Sequence, residues 1–294
     1  MTCSSQANNS FKCSPEENAR LWDPGKTPTF ESMTTWTEDS VATELLACEA
    51  ERRDRTKFTD EWPELDVAAG YRIQSETLRR RLDRGEKITG VKLGLTSVAK
   101  QQRMGVDTPL VAWLTDAMAL ETGQPVPQHA LIHPRVEPEI VFVMRDRLVG
   151  PGVTAEQALA AVGTVRAGAE VIDSRYRDFK FTAADVVADN ASSGAYVLGG
   201  VEIEPGMDLV GESVEVLVDG EVVHKATGAD VLGNPAEALA LAVNDLATRG
   251  LAIEPGWVVL TGGMSDAVYA TPGSTVVCRF STLGEVALDC GSPE

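Results

Sequence analysis

Histidine is scarce in this sequence, and its scarcity limits the chemistry available. Only 3 histidines occur among 294 residues, and no GxSxG motif accompanies them. A serine–histidine–acid triad and a histidine-rich metal site are therefore disfavoured. The 5 cysteines are an odd number without CxxC spacing, which argues against a disulfide framework or a thiolate zinc site and favours a reduced, cytoplasmic location. A metal bound by this chain would depend mainly on oxygen ligands.

Basic residues and long apolar runs are also lacking. The chain carries 26 Lys+Arg against 44 Asp+Glu, a formal net charge of −18. Such a surface repels nucleic acid and anionic membranes. No apolar run approaches the ~18–20 residues of a membrane helix, and the N-terminus lacks the basic-then-apolar pattern of a secretory signal. We expect neither nucleic acid nor a membrane as a partner.

The composition divides the chain into three parts. Residues 1–35 are rich in Ser, Asn, Pro and Thr without periodicity, which predicts a flexible N-terminal extension. Residues 36–87 contain two stretches with helical spacing of apolar residues, one beginning at Glu38 and one from about Asp66 to Asp83. They form a predicted N-terminal helical portion. Residues 88–294 then form the predicted catalytic domain.

The third part is predominantly strand-like. The predicted strands are 88–95, 136–144, 164–172, 213–226, 257–262 and 274–290. Asp219-Gly220 predicts a two-residue hairpin turn. Only two helices interrupt the strands, opened by capping signals at Thr154 and Asn234. This pattern has too few helices for a doubly wound parallel sheet, so the predicted fold class is α+β, with an antiparallel or mixed β body and peripheral helices.

Three glutamates stand out because they interrupt apolar strands. Glu137 and Glu139 are two residues apart and so share one face of the predicted strand 136–144, while Pro138 faces the other way and favours an edge or a pocket mouth. Glu170 lies inside a second apolar strand. Three such carboxylates form the oxygen set expected for Mg²⁺ or Mn²⁺. The alternative is that all three are solvent-facing strand acids.

Further polar residues have two interpretations each. Lys92 interrupts the apolar run 90–97, either as a site residue or as a lysine extending to solvent. Thr96 and Ser97 follow it and could cap the next helix, and Asp116 could be a turn residue. Two loops, 189–193 and 261–264, are small, polar and suited to approaching a ligand. Their candidate binding residues are Asn190, Ser192, Thr261 and Gly262.

Five segments together resemble the hydratase/decarboxylase branch of the fumarylacetoacetase-like superfamily, the metal-dependent enzymes of meta-cleavage catabolism of aromatic compounds. They are GVKLGLTSVAKQQRMGVDTP, LTDAM, LIHPRVEPEI, EVIDSRYRDFKFTAADVVADNASS and LTGGMSDAV. The resemblance covers roughly residues 38–290 and implies a mixed β-roll like the fumarylacetoacetase C-terminal domain, with an N-terminal helical portion. It implies that Glu137, Glu139 and Glu170 bind the metal, that Lys92 is a pocket lysine, and that Asp116 is an acid near the substrate.

The resemblance also implies a lyase. Residues 174–181 and 261–263 look more like 4-oxalocrotonate (2-oxo-3-hexenedioate) decarboxylase than like 2-hydroxypenta-2,4-dienoate (2-keto-4-pentenoate) hydratase, which stays an alternative. An acylpyruvate-type C–C hydrolase, with His133 as the one histidine near the acidic motif, and a structural partner subunit of a paralogous enzyme are the others. We expect a homo-oligomer, with a complex between this chain and a paralogous hydratase or decarboxylase as a further possibility.

Charge balance adds one expectation to this hypothesis. Three carboxylates, a divalent metal and a substrate dianion sum to −3, so cations must lie nearby. Lys92 is the first candidate, and Arg175 or Lys180 are candidates for binding the distal carboxylate of the substrate.

Overall fold

The computed structural model describes residues 36–291, so the predicted extension of residues 1–35 lies outside the described residues. The helices are α1 Glu38–Glu51, α2 Val67–Asp83, α3 Val98–Met104, α4 Ala155–Ala160, α5 Ala183–Ala188 and α6 Pro235–Thr248. The strands are β1 Ile88–Gly94, β2 Leu110–Thr115, β3 Ala119–Leu120, β4 Arg135–Met144, β5 Val162–Ile172, β6 Ser193–Leu198, β7 Ser213–Val218, β8 Glu221–Thr227, β9 Val258–Leu260, β10 Val268–Tyr269, β11 Thr275–Phe280 and β12 Glu285–Asp289.

The larger sheet is mixed and has the order β2-β1-β9-β4-β5-β6-β3, with β10 also paired to β4. The β1–β9 and β3–β6 pairs are parallel, and the other pairs are antiparallel. The second sheet is antiparallel, in the order β12-β11-β7-β8. The predicted α+β class and mixed β-roll are therefore confirmed. β4 and β5, which carry the three glutamates, pair over most of their length in the larger sheet.

The main hydrophobic core connects the two sheets and α6. It contains Phe142 and Val165 from the larger sheet, Val216 and Val276 from the smaller one, and Leu239 from α6. The smaller sheet begins with the predicted hairpin, because Asp219 and Gly220 have φ values of 50° and 86°. α6 begins as its sequence predicts, with the Asn234 side chain accepting a hydrogen bond from the backbone of Ala236.

The N-terminal helices support the segment that follows β5. α1 begins at a Thr37 cap and α2 at an Asp66 cap. Their apolar faces, with Phe58 from the intervening turn, join a hydrophobic cluster that includes Tyr176 and Ala184 of α5. This packing holds residues 173–192 against the end of the larger sheet, where the candidate site lies. Among the helices between residues 36 and 291, none combines the length and apolar character that crossing a bilayer requires.

Five of these helices and strands were absent from our sequence-based prediction: β2, β3, β6, β10 and α5. Every residue of β2 is buried, so the strand lacks the polar/apolar alternation that identifies a half-buried strand. α5 has 6 residues, too few to show helical periodicity. β2 lies at one edge of the larger sheet, and α5 lies in the segment supported by the N-terminal helices.

Candidate metal centre

The register between β4 and β5 brings the three glutamates together. Glu137 pairs directly with Glu170 across the antiparallel ladder, so both side chains project from the same face. Glu139 follows on that face two residues later. Each of the three offers a carboxylate oxygen, and these oxygens all lie within 4.8 Å of one another. Glu139 and Glu170 are 0% and 1% exposed, so the solvent-facing interpretation is wrong for both.

Pro138 leaves room for a loop beside these glutamates. Its carbonyl oxygen accepts a hydrogen bond from the backbone N–H of Met264 at 2.9 Å, so its missing N–H falls on that same side of β4. That side lies between β9, which pairs with residues 141–143, and β10, which pairs with residues 135–136. The loop after β9 fills this gap, and the Gly262 N–H donates to Glu139 Oε2 at 2.6 Å.

Both glycines of this loop are required by their surroundings. Gly262 has φ +106°, and a Cβ there would lie 2.2 Å from Thr96 Oγ1. A Cβ on Gly263 would lie 2.7 Å from the Cδ atom of Glu137. The close approach of backbone to carboxylate therefore depends on the absence of side chains at residues 262 and 263.

Lys92 supplies the buried positive charge. Its Nζ atom lies 2.9 Å from Glu170 Oε1 and donates to the Ala191 carbonyl at 2.9 Å, and the side chain is 3% exposed. Burial alone would lower the pKa of Lys92, but the charge of Glu170, followed by those of Glu137 and Glu139, outweighs it and raises that pKa. The three carboxylates therefore favour the protonated form of Lys92.

The carboxylate oxygens retain unfilled acceptor positions. Glu139 Oε1 and Glu170 Oε2 are buried and accept no hydrogen bond from residues 36–291, and Lys92 is the one charged partner of Glu170 Oε1 in that part of the chain. Burial, followed by the negative charge of Glu170, raises the pKa of Glu139 well above that of an ordinary carboxyl group. An ionised Glu139 thus needs a further cation. Hard oxygen donors with free lone pairs in one place suit a divalent cation such as Mg²⁺ or Mn²⁺.

A cavity of about 480 Å³ adjoins the glutamates. Glu137 and Lys92 line it, together with two residues that the sequence indicated, Thr96 and Ser192. The Ser192 hydroxyl is buried and has no hydrogen-bond partner among the described residues, so it can bond to a ligand. Apolar walls come from Leu93, Leu95, Phe179 and Phe181, among others. The cavity is large enough for a small organic acid.

Two predicted residues lie elsewhere. Asp116 is exposed, begins a short 3₁₀ turn, and accepts a hydrogen bond from the Lys87 N–H at 2.9 Å. It does not line the cavity, so the turn interpretation describes it and its placement near the substrate is corrected. Ser97 is the N-cap of α3, where its hydroxyl accepts from the Lys100 N–H at 3.2 Å. Its hydrogen bond belongs to the helix rather than to the cavity.

The proposed distal cations are also engaged elsewhere. Arg175 is buried in an ion pair with Asp189. Lys180 is 79% exposed and pairs with Asp178. Neither lines the cavity. The assignment of a distal carboxylate to either residue is therefore corrected, because a saturated buried arginine and a solvated lysine are both unavailable to a ligand in the cavity.

Two more predicted residues support the walls without lining the cavity. Asn190 bonds to the backbone N–H and carbonyl of Trp113 through its Oδ1 and Nδ2 atoms, each at 2.9 Å. The Thr261 hydroxyl donates to the Ile140 carbonyl at 2.8 Å. Both side chains hold the loops beside the cavity in place, and the hydrogen bonds that they make are to backbone groups and not to a ligand.

The sequence reasoning missed Arg135. Arg135 lines the cavity and lies two residues before Glu137 on β4, and so on the same strand face as both glutamates of that strand. The period of two that linked Glu137 to Glu139 would have included Arg135 if it had been extended one step towards the N-terminus. Lys100, whose Nζ is 3.4 Å from Glu137 Oε1, and Arg103 were missed as well.

Comparison with known proteins agrees with this geometry. Residues 87–289 match the family model for the fumarylacetoacetate (FAA) hydrolase C-terminal domain. The chain belongs to this family. The resemblance noted in the sequence is thus confirmed. Within the FAA hydrolase family, a 4-oxalocrotonate decarboxylase of Pseudomonas putida is 42% identical over 250 residues, which cover 84% of this chain and 94% of that protein.

Two further relatives mark the range of activities. A 2-hydroxyhexa-2,4-dienoate hydratase of Comamonas testosteroni is 39% identical over 230 residues, covering 76% of this chain and 87% of the relative. Among solved structures, 4-oxalocrotonate decarboxylase from Pseudomonas putida G7, complexed with magnesium and adipate, superposes with a TM-score of 0.84 at 40% identity. That alignment covers 87% of this chain and 98% of the other.

Proposed function

We propose that this chain is a metal-dependent lyase that converts 4-oxalocrotonate to 2-hydroxypenta-2,4-dienoate and CO₂ in the catabolism of aromatic compounds. The observation that carries the proposal is the group of three glutamates with unfilled oxygens beside a cavity of about 480 Å³. The relative complexed with magnesium and adipate supports it, because adipate is a six-carbon dicarboxylate like the proposed substrate.

Glu137, Glu139 and Glu170 would hold Mg²⁺ or Mn²⁺. Such a cation, when bound, polarises a carbonyl oxygen and stabilises negative charge that develops there. The protein residues prepare this position. The Gly262 N–H orients Glu139, and Lys92 holds Glu170 while supplying a positive charge of its own. In a cavity with apolar walls these charges act more strongly than they would in water.

The reaction moves negative charge along the substrate. The bond between C5 and C6 breaks, C6 leaves as CO₂, and the electron pair passes through the conjugated chain to the oxygen on C2. That oxygen then takes up a proton to give the 2-hydroxydiene. Charge thus leaves the distal end of the substrate and appears at its 2-oxo end. The fixed Lys92 ammonium stabilises the second arrangement if the oxo acid lies at the glutamate end.

Hydration of a 2-hydroxydienoate is the second candidate, because the Comamonas testosteroni relative is named for it. A hydratase needs a group that delivers a proton and activates water. Asp116, which we considered for that role, is exposed and outside the cavity, which favours the decarboxylase. The C–C hydrolase has similarly little support, since His133 lines a neighbouring pocket and packs its ring against Phe179.

The test supplies the purified chain with each substrate in turn. Ultraviolet absorbance should show loss of 4-oxalocrotonate with Mg²⁺ and release of CO₂, and a chelator should stop it. Consumption of 2-hydroxypenta-2,4-dienoate with water addition, in the absence of CO₂ release, would establish the hydratase instead. Turnover that is unchanged by the chelator would contradict the role of the glutamates.

We propose in addition that the chain forms a homo-oligomer. The edge strand β8 exposes Val222 and Val223, which are 44% and 45% accessible, and exposed apolar strand edges favour association. Light scattering after size-exclusion chromatography tests this proposal. A monomeric mass that becomes a defined larger mass only when a paralogous hydratase or decarboxylase is added would favour the mixed complex instead.

A further inference from the structure

We propose that Arg135 binds the second carboxylate of the substrate and thereby selects dicarboxylic over monocarboxylic 2-oxo acids. This inference rests on the proposed function and adds a specificity-determining residue to it. Arg135 begins β4 and lines the same cavity as Glu137 and Lys92. The strand rises about 3.3 Å per residue, which separates the Arg135 and Glu137 backbones by roughly 7 Å. The cavity therefore has carboxylates near one part of β4 and a cation near another.

The Arg135 guanidinium is held in position by aromatic rings. Its Cζ atom lies 4.1 Å from the ring centroid of Phe179 and 4.6 Å from that of Tyr269. Nη2 donates to the Tyr269 hydroxyl at 3.1 Å. Cation–π contacts of this kind restrain the guanidinium without using its N–H donors. The side chain is thus pre-organised without a charged partner.

The donors of Arg135 are left available in an acidic protein. Nε is buried and has no hydrogen-bond partner within residues 36–291, and the guanidinium forms no ion pair there. The chain has 44 acidic residues against 26 basic ones. An arginine that lines a cavity and lacks a carboxylate under those conditions is suited to a carboxylate brought by a ligand. A buried donor without a partner otherwise costs free energy.

The other cations of the cavity fit this role less well. Lys92 is engaged with Glu170 and Ala191, and Lys100 lies 3.4 Å from Glu137. Arg103 is exposed on α3. Of the lysines and arginines described at this cavity, only Arg135 is partly buried and has no acidic partner.

The length of the proposed substrate matches the distance between the Arg135 and Glu137 positions. Five C–C bonds of about 1.5 Å separate the two carboxylate carbons of a six-carbon diacid by roughly 6–7 Å when extended. That length is comparable to the distance between the Arg135 and Glu137 positions. A substrate with its oxo-acid end at the glutamates could therefore place its distal carboxylate at Arg135.

The chemistry determines which kinetic constant Arg135 should affect. The distal carboxylate loses its charge as CO₂ departs, so a cation bound to it stabilises the substrate more than the transition state. Arg135 should therefore contribute to binding and not to the bond-breaking step. Its loss should raise KM and leave kcat unchanged or higher.

The kinetic test compares Arg135→Gln with Lys180→Gln, a control that also removes one positive charge but at an exposed position outside the cavity, and whose KM and kcat should match those of the parent. We expect Arg135→Gln to raise KM for 4-oxalocrotonate by about 10–100-fold with kcat within a few-fold of the parent, from the loss of a charged hydrogen-bonded contact. Arg135→Lys should recover part of this loss. A KM within two-fold of the parent in Arg135→Gln, or a fall in kcat alone, would overturn the proposal.

A binding measurement separates this proposal from the proposed function. Calorimetry with Mg²⁺ present should show that the parent chain binds adipate at least about 10-fold more tightly than hexanoate, and that Arg135→Gln abolishes the difference. If the parent has this preference but does not decarboxylate 4-oxalocrotonate, the proposed function fails while the dicarboxylate site remains. Equal affinity of the parent for adipate and hexanoate overturns the role of Arg135, whatever the variant does.

Discussion

Two buried ion pairs, Arg175–Asp189 within the segment after β5 and Lys92–Glu170 between β1 and β5, differ in how completely they are hydrogen-bonded. In the first, Arg175 donates to the Asp189 carboxylate and to the backbone carbonyls of Asp173, Asp189 and Ser193. Asp189 accepts in addition from the Arg175 N–H. In the second, Lys92 contacts Glu170 Oε1 and makes one backbone hydrogen bond, and Glu170 Oε2 accepts none from the described part of the chain.

This difference in hydrogen bonding indicates which pair is structural and which can bind a ligand. A buried charge that is fully hydrogen-bonded within the protein has no capacity for a ligand, and its role is to fix structure. A buried carboxylate with free lone pairs is incomplete without a cation. The two pairs also cooperate, because the Arg175–Asp189 pair fixes the segment that includes Ala191, whose carbonyl accepts the hydrogen bond of Lys92.

The largest effect should come from breaking the saturated pair. Arg175→Met leaves Asp189 buried without its partner, and we expect unfolding to become easier by about 3–5 kcal/mol. Urea denaturation followed by circular dichroism measures this change. Lys180→Met, which removes an exposed lysine from the same segment, is the control and should leave the midpoint unchanged. A small loss in Arg175→Met would mean that the pair does not determine the structure of the segment.

Substituting one of the three glutamates should lower activity without lowering stability. Glu139→Gln should reduce kcat by about 10²–10³-fold, as is typical when one electrostatic contact to a developing oxyanion is lost. Without metal, the variant should be as stable as the parent or more stable, because one of three neighbouring carboxylates has been neutralised. Steady-state kinetics and thermal unfolding report the two quantities.

The matched control for Glu139→Gln is Asp116→Asn, which removes a carboxylate that the structure places outside the cavity. Its turnover should remain within a few-fold of the parent. Near-normal turnover in Glu139→Gln would exclude that residue from the chemistry, and a large loss in Asp116→Asn would return Asp116 to it.

Magnesium should stabilise the folded chain by binding to Glu137, Glu139 and Glu170. At a Mg²⁺ concentration 100 times its Kd, binding adds about 2.7 kcal/mol, which corresponds to a rise in Tm of roughly 4–5 °C for a chain of this size. Differential scanning calorimetry with and without chelator measures the rise. Glu139→Gln should lose most of it, whereas Lys180→Met should retain it. An equal rise in both variants would place the metal elsewhere.

The parts of the site that could be predicted from sequence are those determined locally. The spacing of Glu137 and Glu139 on one strand needs only the two-residue period of β structure. The meeting of that strand with Glu170 depends on the register of β4 with β5, which links residues 33 positions apart and which the family resemblance, not periodicity, indicated. The mixed β-roll was predicted on the same combined basis.

The distribution of cations could not be predicted in the same way. Charge balance required positive residues but does not say which arginine is already paired. Arg175 is paired because the chain returns through α5 to Asp189, and the turn that follows, where Asn190, Ala191 and Ser192 have φ values of 48°, 49° and 58°, leads into β6. Residues other than glycine rarely adopt this conformation, and nothing in their sequence indicates it. Arg135 was overlooked for the complementary reason, since its availability follows from contacts with Phe179 and Tyr269.

The smallest expected effects concern two serines, one with a hydrogen-bonded hydroxyl and one without. The Ser97 hydroxyl is occupied as the cap of α3, while the Ser192 hydroxyl is buried beside the cavity without a partner in the described chain. Ser97→Ala should therefore cost about 1 kcal/mol of stability and leave KM unchanged. Ser192→Ala should leave stability nearly unchanged and raise KM several-fold, as expected when one neutral hydrogen bond to a ligand is lost. The reverse pattern would show that hydrogen-bond saturation does not separate structural from ligand-binding groups in this protein.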